Sequence, residues 1–502
     1  MVTRLKTPRG AALVLLCALL LWLGTLVPQG LRLYRAVQVY LYGYPLVTMG
    51  VTRDLMSSPQ AQALPPGQRK PGVGPVNHFT HVRRFPDHHF RDVVAPNADT
   101  LYSIAWLDLS AGPLVLHLPD MQGRWVLMEV LDAWTNAYAS LGTRQYGGAA
   151  RDYFITGPLW HGTVPEGMTH VASPTRMGWI IGRTYTRNQA DFENVHRFQD
   201  QYTLTPLQVP QPAGAQTATA SSPGSENTTG VDVHTPPVRQ LAAMDAQAFY
   251  TRLLSLMQDN PAAAADAAML QTMRDFGLVP GTVLVWNALS EANRADLQLG
   301  LNLARGLLEG FAPHTQGELH LTDLQTTATT WLAAQLRKRS MQPVNGWNIP
   351  LNLGQYGNNY PLRAFAALLG LGANVAADAV YAITTTDADK APLDGSQSYG
   401  LHFARHELPP AGAFWSLSMY DSEGFFIDNP IGRYAIGDRD ALQFNADGSL
   451  DLRIQSTAPD GLQQANWLPA PRGAFRLVLR IYDPKPEVLS QQWKPPAPRR
   501  VP

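Results

Sequence analysis

A chain of the α+β class, mainly β, with two β domains either side of a helical one, is predicted by three observations. Short apolar or aromatic runs punctuated by Gly and Pro fill residues 76 to 185. Ala- and Leu-rich stretches with helical spacing replace them from 238 to about 340. Alternating strand patterns then return and continue to about residue 483. Strands and helices segregated along a chain mark an α+β architecture with separate β domains. A length of 502 residues suits two or three domains, and 45% hydrophobic residues supply sizeable cores.

The first element is hydrophobic. Arg4, Lys6 and Arg9 precede the apolar run 11–27, "AALVLLCALLLWLGTLV". A basic flank before such a run is the pattern of an export signal. No small-x-small cleavage site follows it, and bulky Leu16 denies Cys17 a lipoprotein-like context. At about 1.5 Å per residue the run is marginal for a hydrocarbon core of roughly 30 Å. Residues 1–30 are therefore expected to be an uncleaved signal-anchor, with a cleaved signal peptide as the alternative. The basic end stays cytoplasmic and the rest is exported. The expected location is periplasmic, anchored to the inner membrane by this helix, or secreted. Cys17 is the only cysteine, so the exported part has no disulfide or thiol chemistry. Lys+Arg and Asp+Glu both number 39, and a balanced chain gives no support for nucleic-acid binding.

The remaining elements follow in order. Residues 31–56 read as a helix broken near Gly43-Tyr44-Pro45, and 57–75 as a loop. The helix and the β pattern after it form a first domain, 31–207. In "WVLMEVLDAW" both alternate faces are mostly apolar, as for a strand buried on two sides. Residues 208–237 are rich in Pro, Ser, Thr and Ala and read as a flexible insert. A helical domain is expected over 238–357, carried by "LAAMDAQAFYTRLLSLMQ", "LSEANRADLQLGLNLARGLLEGF" and "TDLQTTATTWLAAQLRKR". The last domain, 358–490, starts with a helix that has Pro361 in its first turn and a break at Gly370 and Gly372. Strands follow. "FWSLSMYD" sets Trp415, Leu417 and Met419 against Phe414, Ser416, Ser418 and Tyr420. "FRLVLRIYD" sets Phe475, Leu477, Leu479 and Ile481 against Arg476, Val478, Arg480 and Tyr482. "LQFNADGSLDLRIQ" reads as a hairpin turning at Asp447-Gly448.

No G-x-S-x-G, H-E-x-x-H, Walker A, EF-hand loop or C-x-x-C is present, which disfavours serine-hydrolase and zinc-protease readings. No cofactor is assigned. Four places carry polar groups in suggestive clusters. "PNADT" presents Asp99 as an acid/base candidate with Asn97 and Thr100 as ligand-positioning groups; an Asx-type turn is the plainer reading. Tyr102 follows on the strand, on a face with Trp106 that is more often core. Asp132 with Trp134, Thr135, Asn136 and Tyr138 ends a strand, and Arg144 follows in "GTRQYGG". Such groups suit sugars and other polyols, since rings stack and polar tips bind hydroxyls; they suit an ordered loop equally. Asp99 and Asp132 would support glycoside hydrolysis if they stood about 5 to 9.5 Å apart. Arg433, beside Tyr434 and Asn429, is a candidate anion clamp, and Tyr420 a further ligand contact. "NHFTHVRRFPDHHF" gathers His78, His81, Asp87, His88 and His89, donor types for zinc, although loop histidines explain it more simply.

Together these stretches carry a resemblance. "AVQVYLYGYPLV", "VVAPNADTLYSIAWLDLSAGP", "LDAWTNAYASLGTR", "YFITGPLWHG" and "SPTRMGWIIGRT" resemble the bacterial domain-of-unknown-function family 1254. "PLDGSQSYGLHF", "LPPAGAFWSLSMYDSEGFFIDNPIGRYAIGD", "NADGSLDLRIQ" and "NWLPAPRGAFRLVLRIYDP" resemble its C-terminal companion, family 1214. The resemblance spans residues 36–207 and 238–483. It implies an immunoglobulin-like β-sandwich, a small helical domain and a jelly-roll-like β-sandwich behind the N-terminal hydrophobic helix. It implies no activity. The insert at 208–237 departs from the pattern.

The expected function is an exported, envelope-associated protein that binds, and as a hydrolase processes, a polar small molecule such as a glycan. The cleft would lie between the two β domains. Asp99 and Asp132 are the acid/base candidates, and Arg144 and Arg433 the clamps. The alternatives are a non-catalytic envelope scaffold, in which "PNADT" is a turn, and a metal-dependent hydrolase using His78, His81 and Asp87.

Overall fold

A computed structural model describes residues 8–91, 94–207, 231–311 and 343–501, with side chains from residue 28 onward. Helix α1 (Pro8–Ser57) runs unbroken through Pro28 and Pro45, so the predicted break at residues 43–45 does not occur. A mid-helix proline removes one backbone hydrogen bond and crowds the carbonyl four residues back. Here packing overrides it: Ala36, Val39, Tyr42, Leu46, Val47 and Met49 are all buried, so this stretch of the helix is enclosed on several faces. Gly43 leaves room for the Leu253 methyls, which a Cβ there would meet at 2.6 Å. The expected loop at 57–75 contains a short helix, α2 (Pro59–Ala63). Ser58 caps it by accepting from Ala61 N at 3.1 Å, and Pro59 occupies its first turn.

The first sandwich holds β1 (Thr80–His81), β2 (Thr100–Asp108), β3 (Leu114–Leu118), β4 (Val126–Asp132), β5 (Ala137–Gly142), β6 (Arg151–Thr156), β7 (Thr169–Ala172), β8 (Met177–Tyr185) and β9 (Thr203–Pro206). Helices α3 (Thr143–Tyr146) and α4 (Phe192–Gln199) interrupt it. One sheet has the order β1-β2-β8-β4-β5 and the other β7-β6-β3-β9. Alternation sorts the side chains. Ala105, Leu107, Met128, Val130 and Ile180 face the second sheet, where Leu114, Leu116, Tyr153 and Ile155 meet them. On the outer face, Trp106 stacks on Trp179 with ring centroids 4.7 Å apart and joins Leu131 and Ile181 in the helical core. Every residue of β4 is buried, as its apolar run predicts.

The helical layer consists of α5 (Pro237–Ala243), α6 (Ala246–Asp259), α7 (Ala267–Asp275), α8 (Glu291–Phe311) and α9 (Tyr360–Leu369), gathered around α1. Both α1 and α9, which the sequence pattern groups with the β domains, belong to this core. Helix α8 runs parallel to α1. Asn293 meets Arg32, Gly300 lies against Ala36 and Val37, and Arg305 Nε donates to Tyr40 Oη at 3.2 Å. A Cβ at Gly300 would come within 2.8 Å of the Ala36 carbonyl carbon, so glycine lets the two helix backbones touch. The predicted helix "TDLQTTATTWLAAQLRKR" and residues 208–230 of the insert lie outside the described residues.

The second sandwich pairs a sheet of β10 (Ala379–Thr384), β12 (Ala411–Asp421), β13 (Ala435–Gly437) and β16 (Phe475–Pro484) with a sheet of β11 (Ser398–Phe403), β14 (Leu450–Gln455), β15 (Trp467–Pro469) and β17 (Arg499–Val501). Trp415, Leu417, Met419, Leu477, Leu479 and Ile481 face its core, as their alternation predicts. The opposite faces of β12 and β16 are also buried: Ser416, Ser418, Tyr420, Arg480 and Tyr482 are turned toward the first sandwich. The Asp447-Gly448 turn forms with Gly448 at φ +82°, but residues 441–444 pair with no strand. The whole is an α+β fold of two sandwiches and a helical layer. Among the described residues no helix is long and apolar enough to cross a membrane. The expected anchor lies outside that statement, because side chains up to residue 27 are not among those described.

Candidate functional site

The "PNADT" cluster is a turn and an inter-domain clasp at once. Asn97 Oδ1 accepts from Asp99 N and Thr100 N, both at 2.9 Å, and from Thr100 Oγ1 at 3.2 Å. Asn97 Nδ2 donates to Tyr102 Oη. Asn97, Thr100 and Tyr102 are thus engaged with one another at the entrance of β2. Asp99 points across to the second sandwich and is fully buried. Its carboxylate accepts from Arg439 Nη2 at 2.6 Å, Ser416 Oγ at 2.8 Å and Tyr482 Oη at 3.2 Å. Arg480 donates to Ala95 O at 2.9 Å, and Tyr420 Oη donates to Pro96 O at 2.5 Å. Burial by itself would raise the Asp99 carboxyl. The fields of Arg439 and Arg480 and the Ser416 hydrogen bond outweigh it and hold the group below its usual range.

Asp132 closes the β4–β5 turn. It accepts from Trp134 N and Asn136 N, both at 2.8 Å, and from Asn136 Nδ2 at 2.9 Å. Burial pushes its carboxyl up to about 6 in spite of those donors. It does not meet Asp99. In the shared ladder Thr100 stands opposite Tyr185 of β8, and Asp132 stands opposite Gly178. Seven residues of strand at about 3.3 Å each separate the two levels by roughly 23 Å. Two carboxylates that far apart cannot flank one glycosidic bond, so the pairing of Asp99 with Asp132 as acid and base is corrected.

A different carboxylate pair lies between these two. Glu129, on the outer face of β4, is fully buried beside Arg183 of β8, at the diagonal position of the ladder. Arg183 Nη1 donates to Glu129 Oε2 at 3.2 Å and Nη2 donates to Gly372 O at 3.0 Å, and its guanidinium lies 5.5 Å over the Tyr102 ring. Asp378 is buried nearby and accepts from Arg144 Nε at 2.5 Å. Burial, reinforced by the Asp378 charge and only partly offset by Arg183, pushes the Glu129 carboxyl up to about 7. Among the described residues Glu129 Oε1, Asp378 Oδ2 and both ends of the Asn374 side chain are buried without a hydrogen-bond partner.

A cavity of about 350 Å³ opens beside this cluster. Ser140, Arg144, Gln145, Asn352 and Gln355 supply its polar lining, and Ala137, Ala139, Ala376 and Ala377 its small apolar part. Ser140 is the direct ladder partner of Glu129, which is fully buried and does not itself line the cavity. Gly372, whose carbonyl accepts from Arg183, sits at φ +83°, where a Cβ would collide with the Ile181 side chain. Gly372→Ala is expected to lose about 1–3 kcal/mol from backbone strain and displacement of the carbonyl that binds Arg183. A thermal midpoint unchanged from the native protein would contradict that.

The other candidates are placed elsewhere. Arg433 Nη1 donates to the carbonyls of Gln464, Ala465 and Trp467, the last at 2.8 Å, and pins that segment of backbone. Tyr420 is buried and stacks on Phe426. His78 meets Val76 O at 2.9 Å, His81 meets Ser103 Oγ at 2.9 Å, and His88 meets Tyr434 Oη at 3.1 Å. Asp87 accepts from His89 N at 2.9 Å, and no three metal-ligating side chains converge among the described residues. Glu129 and Arg183 are absent from the sequence-based candidates. Their signal is a single charge inside an otherwise apolar strand, in "WVLMEVL" and "WIIGRT", where an unpaired ion would be very costly.

Comparison with known proteins agrees with this division of the molecule. Residues 76–206 match the family model described as "Protein of unknown function (DUF1254)", and 378–486 that described as "Protein of unknown function (DUF1214)". The chain joins a DUF1254 domain to a DUF1214 domain. Asp99, Glu129, Asp132, Arg144 and Arg183 fall in the first; Asp378, Ser416, Arg439, Arg480 and Tyr482 fall in the second. The clasp and the carboxylate cluster are therefore both DUF1254–DUF1214 contacts, and the 351–377 part of the cavity wall lies between the two domains. The VPA0106 protein from Vibrio parahaemolyticus shares the fold, with a TM-score of 0.62 at 18% identity over 94% of this chain and 100% of that one. An uncharacterized protein from Burkholderia cenocepacia aligns over 94% of both chains with a TM-score of 0.39 at 12% identity. No curated protein matches the chain.

Proposed function

We propose that this is an envelope-associated protein that binds a small polar, hydroxyl-bearing ligand such as a glycan unit in the cavity between β5 and residues 351–377. The observation that carries the reading is the lining of this cavity, in which Ser140, Arg144, Gln145, Asn352 and Gln355 surround one space, with Arg144 tied to the buried Asp378. Serine, amide and guanidinium groups supply donors and acceptors suited to hydroxyls. Glu129 is fully buried, bonded to Arg183 and not part of the lining, so it holds Arg183 and the strand behind the cavity in place and does not touch a ligand. The envelope location is supported by the basic flank and apolar run at residues 4–27.

The reading is tested by titrating mono- and oligosaccharides into the purified protein and an Ala377→Trp variant by calorimetry. Ala377 lines the cavity and is only half-buried, so an indole there fills the space; a thermal midpoint close to native shows that the neighbouring Asp378–Arg144 pair is kept. Binding is expected in the native chain and weakened by about tenfold or more in the variant, a loss of at least about 1.4 kcal/mol. Equal affinity in both proteins, or no binding in either, would sink it. A second reading, a scaffold without catalysis, is favoured by the Asp99 clasp, in which every charge serves to join the two sandwiches.

A further inference from the structure

At one end of the helical layer the surface turns apolar. Leu31 and Tyr34 of α1 are 54% and 59% exposed. The loop between α7 and α8 adds Val279, Val283 at 79% and Val285 at 63%, with Trp286 half-buried behind them. Scattered apolar residues are ordinary on a surface, but a contiguous group marks a contact. The parallel packing of α1 and α8 puts this group at one level. Asn293 meets Arg32 and Gly300 meets Ala36, so the loop ahead of Glu291 stands beside the α1 residues just N-terminal to Arg32. The loop's other end is held at the same place: Arg32 lies over the Phe276 ring at 5.4 Å, and Arg35 pairs with Asp275 at 3.6 Å.

What covers this surface is indicated by the helix itself. From residue 28 back to Pro8, α1 continues without a break, and residues 11–27 hold no charged side chain. As a helix the 17 residues 11–27 span about 25 Å, close to the roughly 30 Å thickness of a hydrocarbon core. A helix that enters a bilayer while its other half forms the centre of a folded core fixes how that core sits on the bilayer. Tyr and Trp beside exposed aliphatic residues are the composition of the membrane–water interface.

We propose that Leu31, Tyr34, Val279, Val283, Val285 and Trp286 form a foot that seats the folded body on the lipid surface. The proposal rests on the membrane location inferred above and adds an orientation to it. The test uses the full chain with Cys17→Ser, carrying either Val283→Cys or Leu462→Cys labelled with an environment-sensitive fluorophore. Leu462 is equally exposed, at 79%, and lies on the second sandwich. Each protein is reconstituted with vesicles of phosphatidylethanolamine and phosphatidylglycerol and recovered by flotation. The expected result is a blue-shifted emission at position 283, quenched by nitroxide-bearing acyl chains, and a water-like emission at 462. A floating chain with water-like emission at 283 overturns the foot and leaves the anchored location standing. A chain that does not float overturns both. Equal quenching at both positions shows adsorption without orientation and also overturns the foot.

Discussion

Asp99→Ala is expected to destabilise the protein by about 3–5 kcal/mol, the usual cost of stripping one partner from a buried ion pair. The variant leaves Arg439, itself 6% exposed at the side chain, without its carboxylate at 2.6 Å. Ser416 and Tyr482 lose their acceptor in the same step. For domains of this size the loss corresponds to roughly 6–20 °C in thermal midpoint. Asp99→Ala combined with Arg439→Met should recover part of it, because no uncompensated cation remains. The pH dependence carries the same signature. The Asp99 carboxyl is held below its ordinary range in the folded protein. Its contribution is therefore full above the ordinary carboxylate pKa and disappears as pH falls through the depressed one. The native chain should lose this increment in acid and the variant should have none to lose. A midpoint within a degree of native would mean that the two sandwiches are held together by something other than this clasp.

Glu129→Gln should have the opposite pH signature. The folded-state carboxyl titrates at about 7 against an ordinary 4.5, so the native state binds the proton more tightly than the unfolded chain. That contribution is fully present below about 4.5 and is lost as pH rises to about 7. At about 1.4 kcal/mol per tenfold change in proton affinity, the loss is on the order of 3 kcal/mol. Glutamine resembles the protonated acid and cannot ionise. Urea midpoints of the variant should gain on the native protein between pH 4.5 and 7 and run parallel to it above. Curves that stay parallel throughout would place the Glu129 proton elsewhere.

Much of the fold was legible from local pattern. The segregation of strands and helices predicts the layers, and the alternation of Trp415, Leu417 and Met419 predicts which way they face. Buried β4 follows from its continuous apolar run. The unbroken passage of α1 through Pro45 was not legible, because the helices that enclose it come from residues 237–311 and 360–369, far away in sequence. The candidate site was legible in parts. Arg144 was found as a polar group at a strand end, and its partner Asp378 came from a segment 234 residues away. Asp99 was found as a polar group in a turn, but its solvent-free setting depends on Ser416, Arg439 and Tyr482.

By itself the sequence determined the turn at "PNADT", since Asn97 needs only its neighbours' amides to form it. It also determined the apolar faces of the strands, since alternation at period two is a local property. The tertiary structure alone decided what lies against the remaining faces. Ser416, Arg480 and Tyr482 are only the face opposite the core until the first sandwich, carrying Asp99, covers them. Glu129 and Arg183 read as isolated charges until they meet across one ladder. A carboxyl's affinity for its proton depends on burial and on charges within a few ångströms. Those are distances in space, set for Glu129 by Arg183 of another strand and by Asp378, and for Asp99 by residues of the other sandwich.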